Sequence, residues 1–327
     1  MKQTILSRAF SAVLPALALM LPTAAPAQSY PAKPVSLVVT VPAGGSIDAV
    51  ARFIAADLGP ALGQPVLVVN RVGAGGNIAA EYVAKSPPDG YTLMITSSST
   101  LVVNPFVYKT MPFDAEKSFA PIAMTSRQNF ILAVHPKLNV SNLNEFVALL
   151  KSQPGQLNFA SPGSGTLPHL ACVLLGTQTG TTSTHVPFTG IAPALNALLS
   201  GQVDFMCDSA TTIPHIRAGK VKAFAVIGPE RLASLPEVAT FREQGMPAME
   251  AASGWYGVFA PAGTSPQVVQ RLNREIVRIM KQPATMEKVV AMGLENATST
   301  PEELAAVVRD DLKRFAPIVK QANVTVQ

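Results

Sequence analysis

The residues with the most chemical promise sit in small-residue turns, each placed between an apolar run and an amphipathic one. They are Pro42-Ala43-Gly44-Gly45-Ser46-Ile47-Asp48, Gly73-Ala74-Gly75-Gly76-Asn77, Ser97-Ser98-Ser99-Thr100, Ser161-Pro162-Gly163-Ser164-Gly165-Thr166 and Thr189-Gly190-Ile191-Ala192. The chemistry such turns favour is anion binding. A helix start leaves about four N–H groups without partners and carries roughly half a positive charge. Glycine lets an anion approach the backbone, while Ser46, Ser164 and Thr166 add hydroxyl donors. Two such turns facing each other hold a carboxylate without any arginine. Each position also has a plainer reading. Ser46 or Asp48 can simply cap its helix, Asn77 is an ordinary helix-start residue, and the serine run around Ser98 reads equally well as a solvated loop. His169, five residues beyond Ser164, is a candidate lining residue. Asp208, at the end of an apolar run, either accepts a donor from a solute or caps the turn that follows.

Two enzymatic readings compete. Ser164 with one of His169, His185 or His215 and Asp208 supplies the residue types of a hydrolase, but Gly163-Ser164-Gly165 lacks the Gly-x-Ser-x-Gly elbow. Gly73 to Ala79 resembles a degenerate dinucleotide fingerprint, yet the acid expected some 20 residues on is poorly matched: Asp89 lies in a Pro-Pro-Asp-Gly turn. No catalytic activity and no cofactor are expected.

These turns need elements to position them. Strands are expected at Val35–Val41, Val66–Asn70, Thr92–Thr96, Phe130–Val134, Leu157–Phe159, Thr184–Val186, Val203–Cys207 and Ala223–Ile227. Helices are expected at Ile47–Leu62, Asn77–Lys85, Leu143–Ser152, Pro168–Thr179, Ala192–Ser200 and Ile213–Ala218, with a helical end at Pro266–Lys281, Thr285–Met292 and Pro301–Gln321. The alternation predicts an α/β fold with two mainly parallel sheets, in which all such turns gather at one edge.

The first residues form an address. Lys2 and Arg8 precede an apolar run from Ala9 to Leu21 and the small-residue ending Ala25-Pro26-Ala27, the layout of a signal peptide over residues 1–27. The run is shorter than the roughly 20 residues of a membrane span. The predicted mature chain, from Gln28 to Gln327, exceeds the roughly 250 residues at which one core stops growing, so two lobes follow. No flexible linker separates them, and crossing strands are expected near 121–134 and 253–261. That places residues 28–127 and 254–327 in lobe 1 and residues 128–253 in lobe 2, as a monomer.

The formal charge of +5 comes without dense Lys/Arg stretches interleaved with aromatics, and only 14% of residues are charged. Nucleic acid is therefore excluded as a partner. Cys172 and Cys207 are an even pair in a chain bound for an oxidising compartment, where a disulfide is expected; the alternative is two buried free thiols. With no Cys-x-x-Cys spacing and four dispersed histidines, no metal site is expected.

At these residues the sequence resembles the Bug (TctC-like) family of extracytoplasmic receptors for tripartite tricarboxylate transporters. The carrying motifs are Val41 to Asp48 with Ala51-Arg52, Asn70 to Ile78, Pro87 to Leu93, Gly163 to Ala171 and His185 to Ala194, and the likeness runs through the whole predicted mature chain. It implies a two-lobed periplasmic binding protein, a Venus flytrap with a hinge of crossing strands, that closes on a small organic acid, amino acid or aromatic carboxylate. It also implies membrane transporter subunits as partners; a sensor role would use the same clamp. A carboxylate would be pinched between Ala43 to Asp48 and Ser164 to Thr166. Asn77, Ser98, Thr189, Ala192 and Asp208 would meet the rest of the solute. The family often carries an aromatic and then Lys or Arg ahead of the Gly190 position. Phe188-Thr189 supplies no cation, so recognition of a second carboxylate is not implied.

Overall fold

The computed structural model describes residues 30–322. The expected signal peptide lies outside them. Among the described residues eleven strands, numbered in chain order, form two sheets. The first holds β1 (Val35–Val39), β2 (Val66–Asn70), β3 (Thr92–Ser97), β4 (Phe119–Gln128), β10 (Gly254–Pro261) and β11 (Leu294–Asn296) in the order β11-β4-β10-β3-β1-β2. The second holds β5 (Phe130–Val134), β6 (Asn158–Ser161), β7 (Thr184–Pro187), β8 (Phe205–Asp208) and β9 (Lys222–Ile227) in the order β7-β6-β8-β5-β9.

The expectation of mainly parallel sheets is corrected. β1 runs parallel to β2 and β3, and β6 parallel to β7 and β8, as strand–helix–strand units require. By contrast, β10 is antiparallel to β3 and β4, β11 is antiparallel to β4, and β5 is antiparallel to β8 and β9. β10 and β5 carry the chain between sheets, so helical crossovers do not set their direction. Only Asn129 separates β4 from β5, and the chain passes from one sheet to the other without a loop.

The helices are α1 (Ser46–Leu62), α2 (Asn77–Ala84), α3 (Asn104–Val107), α4 (Leu143–Ser152), α5 (Leu167–Thr179), α6 (Ile191–Leu199), α7 (Ile213–Arg217), α8 (Pro266–Met280), α9 (Pro283–Ala291) and α10 (Pro301–Ala322). Local rules explain their limits. Ser265 caps α8 by accepting the Val268 N–H, and Asn142 caps α4 by accepting that of Glu145. Left-handed Gly63 and Gly180 stop α1 and α5. In α8, Val269, Leu272, Ile276 and Ile279 fall on one buried stripe. Among the described residues, no helix is long and apolar enough to cross a membrane.

One apolar cluster runs through both sheets. Met94, Phe259 and Phe315 come from the first side, and Leu132, Phe146 and Phe205 from the second. α10 lies across this junction, touching β4 and α5. It is pinned there by a 2.8 Å bond from Trp255 Nε1 to buried Asp311, whose other oxygen meets Arg314 at 2.8 Å.

Candidate binding cleft

The turns after β1, β2 and β3 meet the turn after β6 across a cleft of about 560 Å³. The first side contributes Thr40 to Pro42, Val72 to Gly76 without Ala74, Ser97, Ser99 and Thr100, and then Asn104, Val107 and Tyr108. The second contributes Ser164, Gly165 and Thr166. Among the described residues lining it, none carries a formal charge. An anion held here relies on backbone N–H groups, hydroxyls and the dipoles of helix starts.

In the first turn, Gly44 adopts φ +93°, a left-handed conformation that suits glycine. Its N–H donates to Asp48 Oδ2 at 3.0 Å. Asp48 also accepts from Arg52 Nε at 2.9 Å and Nη2 at 3.1 Å, and from Asn70 Nδ2 at 2.9 Å. The Arg52 bonds lead in holding its carboxyl down at about 2. With both oxygens engaged and the residue buried, Asp48 shapes the turn and does not face the cleft. The Ser46 hydroxyl is 2.8 Å from the Tyr256 hydroxyl on β10, Ile47 points into the core, and Ala43 and Gly44 are exposed beside Pro42; like Ser46, they lie outside the cleft lining.

In the facing turn, Gly165 adopts φ +79° and donates its N–H to His169 Nδ1 at 3.1 Å. Thr166 Oγ1 donates to Gly163 O at 2.7 Å, closing the turn, while Ser164 stands exposed. His169 is buried behind the turn, its ring stacked on His185 with centroids 3.8 Å apart. Burial, then the neighbouring His185, lower it to about 4. Among the described residues no histidine bonds to Ser164: His169 spends Nδ1 on the Gly165 N–H, and His185 lies 2.7 Å from the Ser161 hydroxyl.

The other expected contacts are dispersed. Asn77 is buried and accepts from Asn104 Nδ2 at 2.7 Å, so it braces Asn104 from behind. Ser98 turns inward, its hydroxyl accepting the Trp255 N–H at 3.3 Å, while its neighbours Ser97 and Ser99 line the cleft. Thr189 and Ala192 are exposed ahead of and within the start of α6, outside the cleft lining. Asp208 is fully buried at the end of β8. Its Oδ2 accepts from Thr211, its Oδ1 has no partner among the described residues, and burial raises its carboxyl to about 6. Cys172 and Cys207 are free thiols, both buried and in contact. Sequence reasoning missed Asn104, Tyr108 and Tyr256. Asn104 belongs to an Asn-Pro step that reads as an ordinary helix start, with Tyr108 just beyond it, whereas Tyr256 belongs to the aromatic crossing stretch.

The family model described as "Tripartite tricarboxylate transporter family receptor" matches residues 50–324. BugT of Bordetella pertussis is 35% identical over 299 residues, covering 91% of each chain. Among solved structures, Rpa4515 of R. palustris with adipate superposes with TM-score 0.79 at 32% identity, over 90% of this chain and 99% of that one. MatC of Rhodopseudomonas palustris with bound malate gives 0.73 at 34% identity, over 89% and 100%. The matched span includes α1 from Val50 onward, the whole second turn and both crossing strands, and the alignments cover these three relatives over almost their full length. The chain therefore belongs to the tripartite tricarboxylate transporter receptor family, the Bug-type periplasmic solute-binding proteins.

Proposed function

We propose that this protein captures a small carboxylate-bearing solute in the periplasm and delivers it to the membrane subunits of a tripartite tricarboxylate-type transporter. The observation that carries this reading is the pair of turns from different sheets, each leading into a helix, that meet at a single cleft, the first lining it through Thr40 to Pro42 and the second through Ser164 to Thr166. Two helix starts converging on one point stabilise an anion without a cationic side chain. The adipate and malate held by Rpa4515 and MatC support a carboxylate for this chain as well. On this reading the lobes are residues 28–127 with 254–327 and residues 128–253. On closure Ala43, Gly44, Ser46 and the backbone N–H of Ile47 meet Ser164, Gly165 and Thr166 around the carboxylate, and contacts to both turns present the loaded form to the transporter. Residues 1–27 direct export and are removed, and the released chain acts as a monomer without a catalytic step.

Thermal-shift measurements on the chain from Gln28 onward, against carboxylates, amino acids and aromatic acids, test the proposal. A ligand that binds only the folded state raises the melting temperature with its concentration. Stabilisation by one class, reduced in a Ser164→Ala, Thr166→Ala variant, is the expected result. A flat response from ligand-free protein across the whole panel would overturn the carboxylate assignment.

A further inference from the structure

The two facing turns are latched in the same way. Gly44 precedes Gly45, the N-cap of α1, and donates its N–H to Asp48, the third residue of that helix, at 3.0 Å. Gly165 precedes Thr166, the N-cap of α5, and donates its N–H to His169, the third residue of that helix, at 3.1 Å. Both glycines adopt positive φ, +93° and +79°. Each latch fixes the peptide just ahead of its helix and so aims the helix-start N–H groups that follow. That is the preorganisation an anion site needs.

The two acceptors respond differently to a proton. Asp48 is an anion held by Arg52 and Asn70. His169 can accept at Nδ1 only as the neutral Nε2–H tautomer, and a proton on Nδ1 sets donor against donor. Its ring lies flat on His185 from β7, 3.8 Å away at 14°, with Phe159 of β6 next in the stack at 4.9 Å from His185. Cys172 stands one turn along α5 itself. Among the described residues no carboxylate bonds to His169 and none is near enough to shift it.

His185 braces the same turn from its other end. The Ser161 hydroxyl accepts the Gly163 N–H at 3.2 Å and gives its hydrogen to Gly163 O at 3.0 Å. Its 2.7 Å bond to His185 Nε2 then needs Nε2–H as the donor. Among the described residues no carboxylate bonds to either ring to offset a positive charge in this stack.

We infer that His169, braced by His185, is the positioning residue of the second turn, and that this half of the clamp alone is acid-labile. Protonation of the stacked pair releases the Gly165 latch, while the Asp48 latch across the cleft holds. In acid, a bound carboxylate would lose its second-turn contacts first. The functional meaning rests on the cleft being a carboxylate clamp. The test reads the turns themselves, so either idea can fail without the other.

The test is amide hydrogen exchange, read by mass spectrometry on the ligand-free chain from Gln28 onward, between pH 6.5, the ordinary imidazole value, and about 4. After correction for intrinsic rates, residues 163–169 of the wild type should lose protection by at least about tenfold on acidification, and residues 43–48 should lose none. His169→Asn places a non-titrating acceptor at nearly the same point and should keep both turns protected throughout. His169→Leu keeps the bulk, removes the acceptor and should exchange fast at both pH values. Equal loss in both turns, an acid-labile Asn variant, or a Leu variant as protected as wild type would each overturn the inference. If the Leu variant does not fold, the wild-type and Asn comparison decides it alone.

Discussion

Asp48 and His169 show how a side chain can shape a turn by folding back onto it. Each sits on the third residue of a helix and accepts the N–H of the glycine ahead of the N-cap. A spacing of four residues is the same whether the side chain faces the solute or folds back onto the turn, so sequence alone offered both readings. Asp208 is a second case. It ends its strand where a ligand contact was expected, but burial turns it inward. Its titration should be visible. The folded carboxyl, raised to about 6 from 3.8, holds a proton where the unfolded chain does not, so it adds stability as pH falls through that window. His169, lowered to about 4 from 6.5, resists a proton that the unfolded chain accepts, so it removes stability over nearly the same range. The two effects oppose each other in the wild type. Asp208→Asn should therefore make the loss of melting temperature between pH 6.5 and 4 steeper than in wild type. Parallel curves would show that Asp208 titrates as an ordinary carboxylate.

At the scale of elements, strand and helix positions were legible because periodicity and punctuation agree. Val66–Asn70, Phe130–Val134 and Leu143–Ser152 fall where expected, and α1 begins one residue earlier than expected. What periodicity could not give was the conformation of Ser97 to Val103. This stretch leaves β3 and enters a π-helical turn, which sends Ser98 into the core and leaves Ser97 and Ser99 on the cleft. The cysteines belong to this scale, since Cys172 on α5 and Cys207 on β8 come together only because that helix packs on that strand. We propose that they join in the oxidised protein. Thiol titration under denaturing conditions should then find no free thiol without reductant and two with it. Closing this loop should stabilise the oxidised form by about 4 kcal/mol over the reduced one. Two free thiols in both conditions would leave the pair as buried small hydrophobes.

Across the whole molecule, α10 decides how the two sheets sit together. Trp255 lies on a crossing strand, and its indole N–H reaches Asp311 on α10, 56 positions along the chain. Asp311→Ala would strand that buried donor and leave Arg314 unpaired. The expected cost is about 2 kcal/mol of stability. A drop in melting temperature with unchanged amide protection in residues 163–169 would place the effect in the packing of α10 rather than in the cleft. By itself the sequence determined the α/β alternation, the position of each glycine turn and the two crossing stretches, because these follow from local periodicity, turn chemistry and chain length. Tertiary structure decided that the sheets are mixed, that Asn104 and Tyr108 line the cleft while Asn77, Ser98 and Asp208 do not, and that Asp48 and His169 hold the turns. Those outcomes depend on which surface of each element is buried, and that is fixed only when segments far apart in sequence pack together.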